Sequence, residues 1–167
     1  NCVSYDPTFA HEVGVIIHHG LRRMVEAQDN VFFYITLLNE NYPMPGLREG
    51  TESEILKGMY LLEPAKAKKN APEVNLLGSG SILRESQAAK LLLEEDWGVG
   101  ANVFSCPSFN ELARDGQDCD RWNLLHPTEK PRESFVSQQL NKTKGPVIAS
   151  TDYIKNYAEQ IRAFVPR

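Results

Sequence analysis

Cys106, Cys119 and His126 are the residue types of a nucleophile and its base. A thiolate attacks and an imidazole can take its proton. Cys106 closes the run Val103–Cys106, which reads as a strand. The carboxyl ends of strands are where open α/β sheets gather their sites. No feature of the sequence marks its thiol as activated, however. Free cysteine is among the most buried residue types, so a packed thiol is the plainer reading.

His11, His18 and His19 share part of one helix face, and a metal pair there is conceivable. The two-histidine zinc spacing is absent and no acid stands at a matching offset, which favours surface or domain-contact histidines. Gly78-Ser79-Gly80-Ser81 follows a strand and opens a helix. Helix N-terminal N–H groups and the helix dipole bind phosphate at such turns. Leu83 stands where a dinucleotide fingerprint needs its third glycine, and no Gly-Lys-Ser/Thr follows. Glycines that merely permit a tight turn are the plainer alternative.

The densest polar cluster runs from Glu111 to Asn123 and holds Arg114, Asp115, Asp118, Arg121 and Trp122. Arg and Trp are enriched at interface hot spots, and Arg–carboxylate pairs fix loops in one geometry. A docking surface and a helix–turn–helix joint braced by ion pairs are both open here. The spacing is not that of an EF-hand.

The elements that would position these groups follow from pattern. Asp6 and Pro7 predict a helix start, and the apolar spacing carries that helix over 7–27. Residues 31–38 are aromatic and β-branched without alternation, which predicts a strand buried on both faces. Pro43, Pro45 and Gly46 mark a break over 39–48. A capping box at Thr51 and Glu54 starts a short helix that Gly58 stops. Strands are predicted over 59–63, 74–77, 103–106 and 147–150, with a solvated loop over 64–72 carrying Lys66, Lys68 and Lys69. Helices are predicted over 82–96, from Phe109 after a Ser108–Glu111 capping box, again over 118–125 past Asp115-Gly116, and over 133–141. A strongly amphipathic helix is predicted from Ile154 to Val165. Alternating strands and helices imply an α/β fold with a mostly parallel sheet and helices on both faces. The strands at 59–63 and 73–77 have no helix between them, so one runs antiparallel at an edge.

The chain has 167 residues, 41% hydrophobic and 24% charged, a globular composition. Its formal net charge of −4 excludes a basic nucleic-acid footprint. No apolar run approaches the roughly 18 residues of a membrane span, and no signal peptide is expected. Three widely spaced cysteines make no disulfide framework and imply reduced thiols in a cytoplasmic protein. The start at Asn1 and end at Arg167 suggest a piece of something longer.

The runs NCVSYDP (1–7), YITLLNENYPMP (34–45), LLGSGSILRE (76–85), SFNELARDGQDCDRWNLLHP (108–127) and VIASTDYIKNYAEQIRAFVP (147–166) resemble the homodimeric bacterial pyruvate dehydrogenase family. These are the thiamine-diphosphate-dependent, acetyl-transferring first components of the pyruvate dehydrogenase complex, built like transketolases. The resemblance covers essentially the whole chain. It implies that residues 1–42 are the last helix and strand of a pyrimidine-binding middle domain. It implies that residues 43–167 are most of a transketolase-like carboxyl-terminal domain, short of its last glycine- and charge-rich segment. The expected fold is the three-layer one, with an antiparallel edge strand. The implied partners are the rest of the parent chain, a second subunit and a dihydrolipoyl acetyltransferase core with lipoyl domains; no nucleic acid or membrane is implied.

The resemblance implies a parent enzyme that uses thiamine diphosphate and Mg²⁺. The family's diphosphate–Mg²⁺ motif, its activating glutamate and its active-site histidines do not fall on this sequence. No catalytic, cofactor or metal residue is therefore assigned, and this stretch alone is expected to bind no cofactor. His18 and the turn Asn39, Glu40, Asn41 and Tyr42 are expected neighbours of the site. Arg114, Asp115, Asp118, Arg121 and Trp122 are expected interface residues. The alternative is a stand-alone module binding an anion or nucleotide at the Gly78–Ser81 turn.

Overall fold

The computed structural model describes residues 1–66 and 70–166. Lys68 and Lys69 of the expected loop, and Arg167, lie outside the described residues. The first sheet is a βαβ unit. Strand β1 (Cys2–Tyr5) pairs in parallel with β2 (Phe32–Ile35), joined through helix α1 (Ala10–Leu21) and a wider π-type turn at Arg22–Glu26. A parallel pair needs such a crossover, because a tight turn can only reverse the chain.

The second sheet has the order β3-β5-β4-β6. Its strands are β3 (Tyr60–Glu63), β4 (Glu73–Gly78), β5 (Gly100–Ser105) and β6 (Val147–Ser150). β4 is parallel to both neighbours, and β3 is the antiparallel edge strand that the missing crossover predicts. Alternation along β4 and β5 divides the core. Leu77 and Phe104 point to one face, under α4 (Phe109–Leu125) and α5 (Phe135–Leu140). Val74, Leu76, Ala101 and Val103 point to the other, under α3 (Ile82–Asp96). That is the expected three-layer arrangement. Leu77 is fully buried, and its truncation to Ala would cost about 2–5 kcal/mol. A third cluster, including Val3, Tyr5, Ile16, Ile55 and Tyr60, joins the two sheets through α2 (Glu52–Lys57).

Several expectations need correction. The strand β1 is absent from the pattern reading. Helix α1 starts at Ala10 and not at Pro7, because Asp6 is engaged elsewhere: its carboxylate accepts from Thr36 Oγ1 at 2.5 Å. β2 pairs in parallel as expected but is not covered on both faces. Phe33 packs inward, while Phe32 and Tyr34 are 58% and 60% exposed. Thr51 precedes α2 but does not cap it, since its hydroxyl donates to Arg48 O at 2.6 Å. Gly58 does end α2 in the left-handed region, at φ 108.

Helix α4 is unbroken through Asp115-Gly116. Gly116 is buried there, and a Cβ on it would lie 2.4 Å from the Phe164 ring. The glycine serves a close approach and not a turn. The carboxyl-terminal helix is also shorter than its pattern predicts. It splits into α6 (Lys155–Glu159) and one 3-10 turn at Arg162–Phe164. The change in winding lets Ile161 and Phe164 reach the core under α4.

Candidate functional site

The most completely satisfied polar group of the interior is the carboxylate of Glu12, fully buried on the first turn of α1. Its Oε2 accepts from the N–H groups of Thr8 at 2.6 Å and Phe9 at 3.0 Å, which caps the helix start. Its Oε1 accepts from Tyr60 Oη at 2.8 Å and Ser105 Oγ at 2.5 Å, on β3 and β5. Burial, and then the nearby Glu12 charge, push the Tyr60 phenol well above its usual range. His11 lies 3.1 Å from the same phenol oxygen through Nε2, and 2.9 Å from Pro45 O through Nδ1. Of these groups only His11 stands out in the sequence, as a conceivable metal ligand, and here it meets Tyr60 and Pro45 O instead. A signal for Glu12 was there too: it falls at helical spacing between Phe9 and Ile16, on the apolar face.

The Gly78–Ser81 turn does precede a helix as expected, but carboxylates face it. Gly80 N–H donates to Asp6 O at 3.1 Å, and Thr8 Oγ1 donates to Gly80 O at 2.7 Å. The Asp6 carboxylate lies where a Gly80 side chain would begin. Ser81 Oγ donates to Asp152 Oδ2 at 2.6 Å. Two acids held beside a helix N-terminus repel a phosphate. The anion-module alternative therefore fails on the charge that already fills the turn.

Cys106 is fully buried, and burial with the neighbouring Glu12 charge pushes its thiol far up. A protonated, enclosed thiol cannot act as a nucleophile. His126 is engaged elsewhere, stacked on Trp122 at 4.4 Å with Nδ1 2.8 Å from Trp122 O. Cys119 is raised too, first by burial and then by Asp115. His18 stands exposed on α1. His19 packs edge-on to Phe33 and is lowered by burial and by Arg23. Among the described residues, no group of three or more His, Cys, Asp or Glu could hold a metal ion.

The remaining candidates fall into two places. Asn39, Glu40 and Asn41 are exposed, and Glu40 pairs with Arg84 on α3 at 2.8 Å. The same guanidinium covers the Tyr42 ring at 4.7 Å, and Tyr42 Oη donates to Thr8 O. The loop is thereby tied to both parts of the fold. On α4, Arg114 donates to Glu111 Oε1 at 2.6 Å and to Cys2 O at 3.0 Å. Asp115 accepts from Phe135 N–H at 2.6 Å, at the start of α5. Trp122 is sandwiched between His126 and the Arg132 guanidinium, 4.1 Å away. Asp118 and Arg121 remain exposed on the same helix. The structure thus makes this cluster one side of a continuous helix and not a joint.

The family model for the Transketolase-like TK C-terminal domain matches residues 58–165. The chain belongs to this transketolase-like family. The model for the Pyruvate dehydrogenase E1 component middle domain matches residues 1–45. The chain is similar to the pyruvate dehydrogenase E1 component of Cupriavidus necator, 56% identical over 167 residues. That alignment covers 100% of this chain and 19% of the relative. The E1 component of Pseudomonas aeruginosa is 57% identical over 166 residues, covering 99% of this chain and 19% of the relative. That of Escherichia coli K12 is 56% identical over 167 residues, covering 99% and 18%. The chain therefore spans under a fifth of the length of these relatives. A transketolase from Pichia stipitis shares the fold, with a TM-score of 0.50 at 15% identity, over 98% of this chain and 23% of that one. Among the described residues no helix is long and apolar enough to cross a membrane.

Proposed function

We propose that the chain is a supporting part of a pyruvate dehydrogenase E1 component: the end of the middle domain (residues 1–42) followed by the transketolase-like domain (43–167). The whole enzyme would be an oxidoreductase of the cytoplasm that decarboxylates pyruvate and passes the acetyl group to a lipoyl arm. Its partners would be a second subunit and a dihydrolipoyl acetyltransferase core. Thiamine diphosphate with Mg²⁺ would supply the electron sink for decarboxylation. The residues in this chain do not fit that group. The Gly78–Ser81 turn that opens α3 faces Asp6 and Asp152, so a diphosphate there would meet like charge. No step of the reaction is assigned to these residues.

The observation that carries the structural role is the unfinished first sheet. A two-stranded parallel pair is not a stable unit, and parallel sheets are covered on both faces. Here Phe32 and Tyr34 stand exposed on one face of β2, with Leu21 and Val25 exposed on the helical segment before it. The neighbours would come from the preceding part of the middle domain. The test is complementation. An E1 component cut to lack the matching segment is mixed with this chain, and carbon dioxide release from pyruvate is measured. Restored release supports the proposal; a mixture as silent as either half contradicts it.

A further inference from the structure

The family models divide the chain between residues 45 and 58, but the buried polar bonds ignore that division. One oxygen of Glu12 is tied to its own helix start, and the other is tied to β3 and β5 of the following part. We infer that Glu12 is a fastener between the two parts, strong enough to hold them together when the segment between them is cut.

The geometry supports this at each end. Both bonds to Glu12 Oε1 come from the following part, so parting the two halves exchanges them together for bonds to water. Tyr60 and Ser105 are buried residues, and their hydroxyls would lose this acceptor together. Buried charge-assisted bonds of this type are the stronger class of protein hydrogen bonds. Backbone contacts run parallel to them: Asp6 N–H donates to Pro107 O at 2.6 Å, and Ser108 Oγ donates to Ser4 O at 2.7 Å. The apolar cluster of Ile16, Ile55 and Tyr60 spans the same junction. Residues 43–50, by contrast, are exposed throughout. The inference concerns the two parts of this chain alone, and it stands or falls independently of the reaction proposed above.

The test places a specific protease site between Gly46 and Leu47 and cuts the folded chain there. Size-exclusion chromatography of the cut protein should show one species containing both pieces. Tyr60→Phe deletes only the hydroxyl and keeps the ring, and it should raise the dissociation constant of the pieces about tenfold. Ser105→Ala should act in the same direction. Separation of the cut wild-type chain into free pieces would overturn the inference. So would dissociation constants in both variants equal to that of the cut parent.

Discussion

The carboxylate of Asp6 occupies the space where a side chain on Gly80 would begin: an ideal Cβ at Gly80 would stand 2.7 Å from Asp6 Oδ2. Gly80 also holds a positive φ of 52. The first sheet is thus set against the turn of the second by contact as well as by hydrogen bonds. Gly80→Ala combines a left-handed backbone with this clash and should cost about 1–3 kcal/mol. Chemical denaturation measures it, and an unchanged midpoint would show that the turn relaxes freely.

Ser108 and Ser134 both cap helices, but they should not be equivalent. Ser108 Oγ accepts from Glu111 N–H at 3.0 Å and also donates across to Ser4 O. Ser134 Oγ accepts from Ser137 N–H at 3.2 Å and interacts with the Ser137 hydroxyl next to it. Ser134→Ala should cost about 1 kcal/mol, the usual loss of a cap. Ser108→Ala should cost about 2 kcal/mol, because the half-buried Ser4 carbonyl also loses a donor. Equal losses would mean that the cross-link to Ser4 contributes nothing.

A buried ion pair gives a pH-dependent prediction. Lys90 is 2% exposed and donates to Glu94 Oε1, Pro64 O and Ala101 O, at 2.7, 2.8 and 2.6 Å. Burial alone would raise the Glu94 carboxyl, but bonds from Lys90 and from the Lys66 and Ala101 N–H groups outweigh it and hold it below the usual range. A depressed carboxylate stabilises the fold fully above its unfolded value of about 4.3. That stability fades as pH falls through the lower folded value. The gap in stability between wild type and Glu94→Gln should therefore be open at pH 6 and narrow below pH 4. A gap independent of pH would contradict the pairing. Lys90→Met alone should cost about 1–3 kcal/mol, since Pro64 O and Ala101 O lose their donor while Glu94 keeps its N–H partners.

The three thiols should separate by environment. Cys2 is exposed, Cys119 is partly covered and Cys106 is buried, all free. Burial raises both Cys106 and Cys119. A thiol reagent at pH 8 should label Cys2 first and reach Cys106 only on unfolding. Denatured, unreduced protein should titrate three thiols, and a count of one would mean a disulfide.

The second sheet was legible because its strands follow simple rules. Apolar runs gave β4 and β5, and the absent crossover gave the antiparallel edge β3. Local signals failed where a distant residue overrode them. Asp6 looks like a helix cap, but Thr36 and Gly80 claim it. Asp115-Gly116 looks like a turn, but Phe164 needs the space. The α4 candidates lie along one continuous helix, where Arg114, Asp115 and Trp122 find partners within the chain and Asp118 and Arg121 stand exposed. Glu12 was missed because an acid at helical spacing among apolar residues reads as noise until Tyr60 and Ser105 arrive from the other sheet.

The central claim is that this chain supports a thiamine-diphosphate enzyme without holding the cofactor. Calorimetric titration with thiamine diphosphate and Mg²⁺ tests it, first on the chain alone and then on its mixture with the complementary part of an E1 component. The account predicts no saturable heat from the chain alone, because Asp6 and Asp152 stand against the Gly78–Ser81 turn that opens α3. It predicts saturable binding in the mixture. Saturable micromolar binding to the chain alone would contradict it.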